Sequence, residues 1–447
     1  MPDLTELCEA AVNAGAALQA DVEAYAQESG RLSVRARRGE VEALTSAESR
    51  GVGVRVVVDR RLGYAYAADP DETEVAELVG RAHEAAAFAQ PDEGNVLPPI
   101  DPPEPLPGLF HEAQVELATD AKVRIALDVE RAAVAARPEV TKVESVSYGD
   151  AVSRVAIAST RGGPVEYSRT DCWAAVHALA ERDGETQTGF SFRLERALGD
   201  LEWEEAATEA AERAARLLGG VKPASARVPV VLDPDAATAF LGVLAGGLSA
   251  ESVQKGRSPL APFVDQQVAS QAVTLVDDGR LLDGPGVAPF DDEGVHTGRT
   301  VLIDRGTLHA FLHNTWTATR AGAASTGNAG RGGYRTPPGV APTNMFLQPG
   351  DTPVEEILRR AEGGVFVQEV SGLHSGANPV SGEFSVGAVG LRIRDGALAE
   401  PLREMTVAST LLDVLRAVQA IGPDLRFRGG SLASPTVLIG EMTVGGV

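Results

Sequence analysis

His309 and His313, in His309-Ala310-Phe311-Leu312-His313, have the H-x3-H spacing of a zinc-binding helix, but no glutamate follows the first of them. Asp291, Asp292 and Glu293 stand side by side in Pro289-Phe290-Asp291-Asp292-Glu293-Gly294. Paired carboxylates can divide acid and base work, yet neighbours on a turn point apart, so they read as turn-forming, solvated acids. Gly327-Asn328-Ala329-Gly330-Arg331-Gly332-Gly333 could cradle an anion in its backbone N–H groups, with Arg331 adding charge. It matches neither a Walker loop nor a dinucleotide fingerprint, and a loop shaping a cleft or a subunit contact is the expectation. His111-Glu112 has no second histidine within reach and reads as a loop or helix start. No G-x-S-x-G elbow occurs, and Ser375 and Ser381 have only His374 nearby, without an orienting acid. The residues read as substrate or partner contacts are His313, Asn314, Asn328, Arg331, His374 and Asn378, of which His374 and Asn378 lie on a loop where such contacts are common.

The elements that must hold these groups follow from periodicity. Thr300 to Leu308 reads as strand, tight turn at Arg305-Gly306, strand, which puts His309 and His313 on one face of the second strand. Upstream, apolar spacing predicts a helix over Leu4 to Leu18. Period two then predicts strands over Leu32 to Arg37, Val41 to Thr45, and a hairpin of Val52 to Val58 with Leu62 to Tyr66. A helix from Pro70-Asp71 to Phe88 has carboxylates in its first turns. Seven prolines between Gln90 and Gly108 mark a connector. A helix from about Ala113 to Ala136 follows, then a strand pair over Val140 to Ala158 turning at Tyr148-Gly149-Asp150. Two strands joined at Asp183-Gly184 and a helix over Leu201 to Leu218 complete the half. Val221-Lys222-Pro223 marks the main boundary, giving residues 1–222 and 223–447 as two domains. The second is strand-rich, with helices expected at about 235–248, 353–360 and 406–421, so the fold class is α+β: an α/β sheet-and-helix domain, then a β-rich one.

Composition sets the outer limits. At 447 residues, 44% hydrophobic and 23% charged, the chain is globular and long enough for more than one core. A formal charge of −23 repels phosphates, which argues against nucleic-acid and anionic-membrane partners. Only Cys8 and Cys172 occur, far apart, so neither a disulfide framework nor a thiolate metal cluster is expected. The first residues, Met1-Pro2-Asp3-Leu4-Thr5-Glu6, lack a basic n-region and an apolar h-region, and no apolar run could span a bilayer; the expectation is a cytoplasmic protein.

Taken in order, the acidic Asp291-Asp292-Glu293-Gly294 turn, the hairpin around Asp304-Arg305-Gly306 and the Ser325-Thr326-Gly327-Asn328 loop resemble the TldD/TldE (PmbA) family. Ser375 to Ser385, with Asn378-Pro379-Val380-Ser381-Gly382 at its centre, resembles the text of the TldE (PmbA) subunits, as does Phe427-Arg428-Gly429-Gly430 with the residues after it. The likeness runs from roughly Arg31 to the end and is most specific in the second half.

By that resemblance, the catalytic subunits are metallopeptidases with an HExxxH helix after a V-V-L strand. Here the strand stands as Val230-Val231-Leu232, but Gly242, Val243 and Gly247 occupy the places of the first histidine, its glutamate and the second histidine. The family's third ligand, a cysteine near the C-terminus, is missing from Asp424 to Gly430. The resemblance therefore implies a non-catalytic TldE-type subunit without its own metal or catalytic residues. It would pair with a TldD-like chain carrying a divalent metal, zinc by expectation, and enclose a chamber for unfolded or modified peptides or peptide-like conjugates. The alternatives are a stand-alone amide hydrolase using His309, His313 or the Asp291 turn, and a homodimeric peptide-binding protein without activity.

Overall fold

The computed structural model describes residues 2–378 and 380–446; Pro379, in the Asn378-Pro379-Val380 text, lies outside the described residues, as do Met1 and Val447. The first half is one antiparallel sheet of β1 (Asp21–Arg37), β2 (Glu40–Val58), β3 (Arg61–Ala68), β4 (Val140–Ser159), β5 (Gly162–Arg182) and β6 (Glu185–Glu195), in the order β3-β2-β1-β4-β5-β6. Its tight turns, Arg38-Gly39, Asp59-Arg60 and Asp183-Gly184, have positive φ at both central residues, the handedness that matches the twist of the strands they join.

Alternation along β1 sorts the two faces. Val22, Ala24 and Ala26 pack under α1 (Leu4–Ala17) and α2 (Glu72–Phe88), whose Asp71 cap and Glu74 close a capping box. Tyr25, on the opposite face, meets Phe290 and Tyr334 of the second half. The helix expected over 113–136 is two: α3 (Glu112–Val115) and α4 (Thr119–Ala136), separated where Ala118 is extended. Gln114 pins the break, its Nε2 donating to Tyr148 Oη at 3.0 Å and its Oε1 accepting from Leu198 N at 2.9 Å. α4 and α5 (Trp203–Ala215) cover β4 and β5 through a core of alanines and valines.

Two strand predictions merge in the same way. Residues 41–45 and 52–58 belong to the single strand β2, and residues 140–158 form the unbroken strand β4 without a turn at Gly149. Gly149 is there for space: it pairs with Trp173 of β5, and a Cβ at 149 would sit 2.0 Å from the indole.

The second half comprises β7 (Ala226–Leu232), α6 (Pro234–Gly247), α7 (Ala250–Gln254), β8 (Leu275–Asp278), β9 (Arg299–Asp304), β10 (Thr307–Leu308), α8 (Thr315–Ala321), β11 (Ala329–Gly330), β12 (Gly339–Val340) and β13 (Met345–Leu347). α9 (Val354–Arg360), β14 (Val365–Ser371), α10 (Leu373–Gly376), β15 (Glu383–Arg394), β16 (Ala397–Thr410), α11 (Leu411–Arg416), β17 (Val418–Ile421), β18 (Leu432–Ala433) and β19 (Val437–Gly445) follow. They build two larger sheets, β10-β9-β8-β13-β18 and β16-β15-β14-β7-β19-β17, with α6 packed in the core they share. The helix expected over 406–421 shrinks to α11, because Thr406 to Thr410 continues β16 and Thr410 Oγ1 then caps α11 by accepting from Asp413 N at 3.1 Å. Among the described residues no helix is long and apolar enough to cross a membrane.

Candidate functional site

α6 begins with Asp233 as cap, its carboxylate accepting from Asp235 N at 3.0 Å, and Pro234 at the first helical position. Ala237, Phe240, Leu241 and Leu244 recur at helical spacing and bury the inner face, leaving Gly242 and Gly246 exposed on the other. Phe384 of β15 stacks against Phe240 with ring centroids 4.7 Å apart, which brings the 372–385 loop beside α6. Leu432 of β18 approaches Gly242 from another side: a Cβ there would lie 3.6 Å from its Cδ1.

These surroundings do not fit a metal. Gly242 and Gly247 offer no donor atom and Val243 no acid. Gly247 is buried, its carbonyl accepts from Ser258 Oγ at 2.6 Å, and a Cβ on it would press on the Pro259 ring at 3.2 Å. The cavity under the inner face, about 70 Å³, is lined by Leu232, Phe240, Leu241, Leu244 and further apolar side chains. Among the described residues no group of three or more His, Cys, Asp or Glu is placed to hold a metal ion. The thiols of Cys8 and Cys172 are buried and pushed up by that burial to about 12, which removes them as nucleophiles near neutral pH.

The acidic turn is not solvated, contrary to the expectation from its sequence. Asp291 and Glu293 are buried, and the turn is folded inward against the first sheet. Asp291 accepts from Glu293 N, Val295 N and Ala329 N at 2.9, 3.0 and 2.9 Å; burial and then the Glu293 charge hold its carboxyl well above the usual carboxylate range. Glu293 accepts from Arg55 at 2.8 Å and from Thr315 N, at the start of α8, at 2.8 Å. Arg55 also donates to Glu23, its register partner on β1, at 2.9 Å. Burial works against the Glu23 charge, but Arg55 and then Arg331 outweigh it and hold the carboxyl below the usual range. The cluster is internal and charge-paired, which suits it to joining the two halves and not to chemistry on a ligand.

Placement of the six contact candidates follows from these bonds. The Arg331 side chain is 0% exposed, paired with Glu23 and stacked 4.8 Å over Tyr25. Asn328 is buried too, donating to Asp277 at 2.7 Å and to Ala341 O at 3.1 Å, and Asn314 is the buried cap of α8. His313 is half-buried, and burial lowers its pKa; its backbone N–H donates to Thr326 Oγ1 at 2.8 Å. The strand ends at Leu308, so His309 and His313 do not share a strand face, and His309 instead lies 3.6 Å from Asp265 at the surface. Only His374 and Asn378 stay exposed, beside α6, with Asn378 Oδ1 accepting from Val380 N and Ser381 N at 2.9 and 3.2 Å.

A cleft of about 490 Å³ opens where the end of β6 meets the 281–285 and 425–429 loops. Arg193, Arg196, Arg428, Glu195, Asp283 and His111 are among its lining residues, a two-signed polar surface. Arg428 ties it to both halves, bonding Glu209 of α5 at 2.7 Å and Asp235 of α6 at 3.0 Å. Sequence reasoning did not single out Arg193, Arg196 or Glu195; their one signal was a cluster of charges at the end of a strand otherwise carrying Phe190, Phe192 and Leu194.

Family models match three segments of this architecture. The PmbA/TldA metallopeptidase domain 1 matches residues 22–86, the central domain 114–218 and the C-terminal domain 225–446. The chain belongs to the PmbA/TldD metallopeptidase family. Metalloprotease PmbA of Escherichia coli O157:H7 is 27% identical over 421 residues, covering 93% of this chain and 90% of the relative. A TldD homolog of Haemophilus influenzae is 26% identical over 423 residues, covering 89% and 87%, so both kinds of PmbA/TldD chain are similar at comparable distance. Among solved structures, a Thermotoga maritima protein described as a candidate modulator of a DNA gyrase superposes with a TM-score of 0.91 at 28% identity, covering 98% of this chain and 99% of that one. TldE from Thermococcus kodakarensis shares the PmbA/TldD fold at a TM-score of 0.90 and 21% identity, covering 98% and 100%.

Proposed function

We propose that this chain is a TldE/PmbA-type, non-catalytic subunit of a heteromeric PmbA/TldD metallopeptidase. The observation that carries the reading is α6: glycine, valine and glycine, none with a metal-donating or acidic side chain, stand at 242, 243 and 247. A chain of a metallopeptidase family that cannot hold the metal leaves the metal, zinc by expectation, to a TldD-like partner. Its own share is then physical: to complete the wall of a cytoplasmic chamber, admit extended peptides and exclude folded ones. The exposed loop of His374 and Asn378 beside α6, and the two-signed cleft at Arg193 and Glu195, are the surfaces on which an unfolded or modified peptide or peptide-like conjugate would rest. Maturation of peptide natural products is one task such a complex would suit.

Digestion of an unfolded peptide by this chain, by a TldD-like chain from the same genome and by their mixture tests the reading. Cleavage by the mixture that a chelator abolishes, with none by this chain alone, is the expected result. Chelator-sensitive cleavage by this chain alone overturns it.

A further inference from the structure

The core shared by the two larger sheets of the second half is not completely filled. Under α6 it leaves a cavity of about 70 Å³, with walls from both sheets and two helices. Ala237 and Leu241 line it from the inner face of α6, Leu275 from β8, Ile439 from β19 and Val414 from α11. The lining side chains are hydrocarbon with one exception, Ser434, whose hydroxyl already donates to Pro435 O at 3.0 Å. Water needs about two to four polar partners to settle in a protein interior, and these walls do not supply them. An empty space costs the atoms around it their van der Waals contacts. Only an apolar occupant restores such contacts without stranding a polar group.

Volume fixes the size of the occupant. The cavity is about half of the ~150 Å³ that admits benzene, which leaves room for a xenon atom or a hydrocarbon of about three carbons and not for an aromatic ring. Leu347 of β13 and Leu415 of α11 are half-buried while the rest of the lining is buried, so the space comes nearest to solvent at those two side chains. We propose that this cavity is a binding site for a small, uncharged apolar molecule of that size, held by contact alone and shared between α6, α11 and both sheets. The unfolded chain has no such cavity, so a ligand that binds there stabilises the folded state by mass action. The site lies on the face of α6 turned away from the exposed Gly242 and Gly246, and the inference does not depend on how the chain takes part in peptide cleavage.

Methyl NMR of the full-length chain under rising pressure of xenon, and separately of propane, tests it. Saturable shifts at the leucine, valine and isoleucine methyls of the lining, with a thermal transition that rises with gas pressure, are the expected result, and benzene should produce neither. Ala237→Leu puts an isopropyl group into the space and should give a folded chain that has lost the saturable shifts. Leu241→Ala enlarges the space and should give a folded, less stable chain that keeps xenon and newly takes benzene. Lining methyls of the wild type that do not shift, or that shift in proportion to pressure without saturating, as exposed methyls do, overturn the proposal. So does saturable benzene binding by the wild type, a folded Ala237→Leu chain that still binds xenon, or a Leu241→Ala chain that refuses benzene. If Ala237→Leu does not fold, Leu241→Ala decides the matter by itself.

Discussion

Arg55 of β2 donates to Glu293 of the acidic turn at 2.8 Å across 238 residues of chain, with both side chains buried. The bond joins the N-terminal sheet to the β-rich half at a point where Glu23 and Arg331 complete an alternation of charge. Removing one member strands the other charge away from water, a cost of about 3–5 kcal/mol. Arg55→Ala is therefore expected to lower the urea midpoint by that equivalent, and Arg55→Met less because it refills the volume. A loss under about 1 kcal/mol for Arg55→Ala, the range of an exposed pair, would show that the cluster is not sealed.

A second junction should show itself in acid. Burial opposes the Glu209 charge, but Arg428 and Arg193 overcome it and hold the carboxyl down at about 2, below its ordinary 4.5. A depressed carboxylate contributes stability that is present above 4.5 and fades as pH falls through about 2. At ~1.4 kcal/mol per pKa unit, that drop is worth roughly 3 kcal/mol at most, the side chain being a quarter exposed. Glu209→Gln should lose stability at neutral pH and flatten the stability profile between 4.5 and 2. Superimposable acid profiles for the two proteins would refute the pairing.

Gly149 offers a packing test. Its hydrogen is the largest substituent Trp173 tolerates, so Gly149→Val should cost on the order of 1–3 kcal/mol in overpacking, or more if β4 shifts, and should perturb the tryptophan emission. Gly246→Ala is the comparison, since no atom lies within 4 Å of a Cβ there, and it should be neutral or mildly stabilising. Equal destabilisation by both would contradict this account of β4.

Periodicity carried the class and most helices, because α1, α2, α5 and α6 each show an apolar stripe bounded by a cap or glycine. It failed where contacts distant in sequence decide. Gly149 reads as a turn until Trp173 is seen over it, and Thr406 to Thr410 reads as helix until β15 pairs with it. Glu293 and Arg331 look solvated because their partners, Arg55 and Glu23, lie more than 230 residues away. A signal was present: Glu23 and Arg55 interrupt the apolar runs of β1 and β2 at opposite positions, and a charge on an inner strand face asks for a counter-charge. That Gly242, Val243 and Gly247 carry no donor or acid was legible because sequence states side chains outright; the contact of Gly247 with Pro259 needed the fold. The cleft at Arg193 and Glu195 was not legible, since three loops from separate parts of the chain form it.

Metal content is the most direct measurement of the central claim. The full-length chain, purified alone and then in complex with a TldD-like chain, would be analysed by mass spectrometry of its metals after zinc loading and desalting. The account predicts no stoichiometric metal on this chain alone, stoichiometric metal in the complex, and the same metal content when Val243→Ala or Gly242→Ala is introduced. Stoichiometric zinc on the isolated chain, lost on replacing His309 and His313, would contradict it and move the site to that pair.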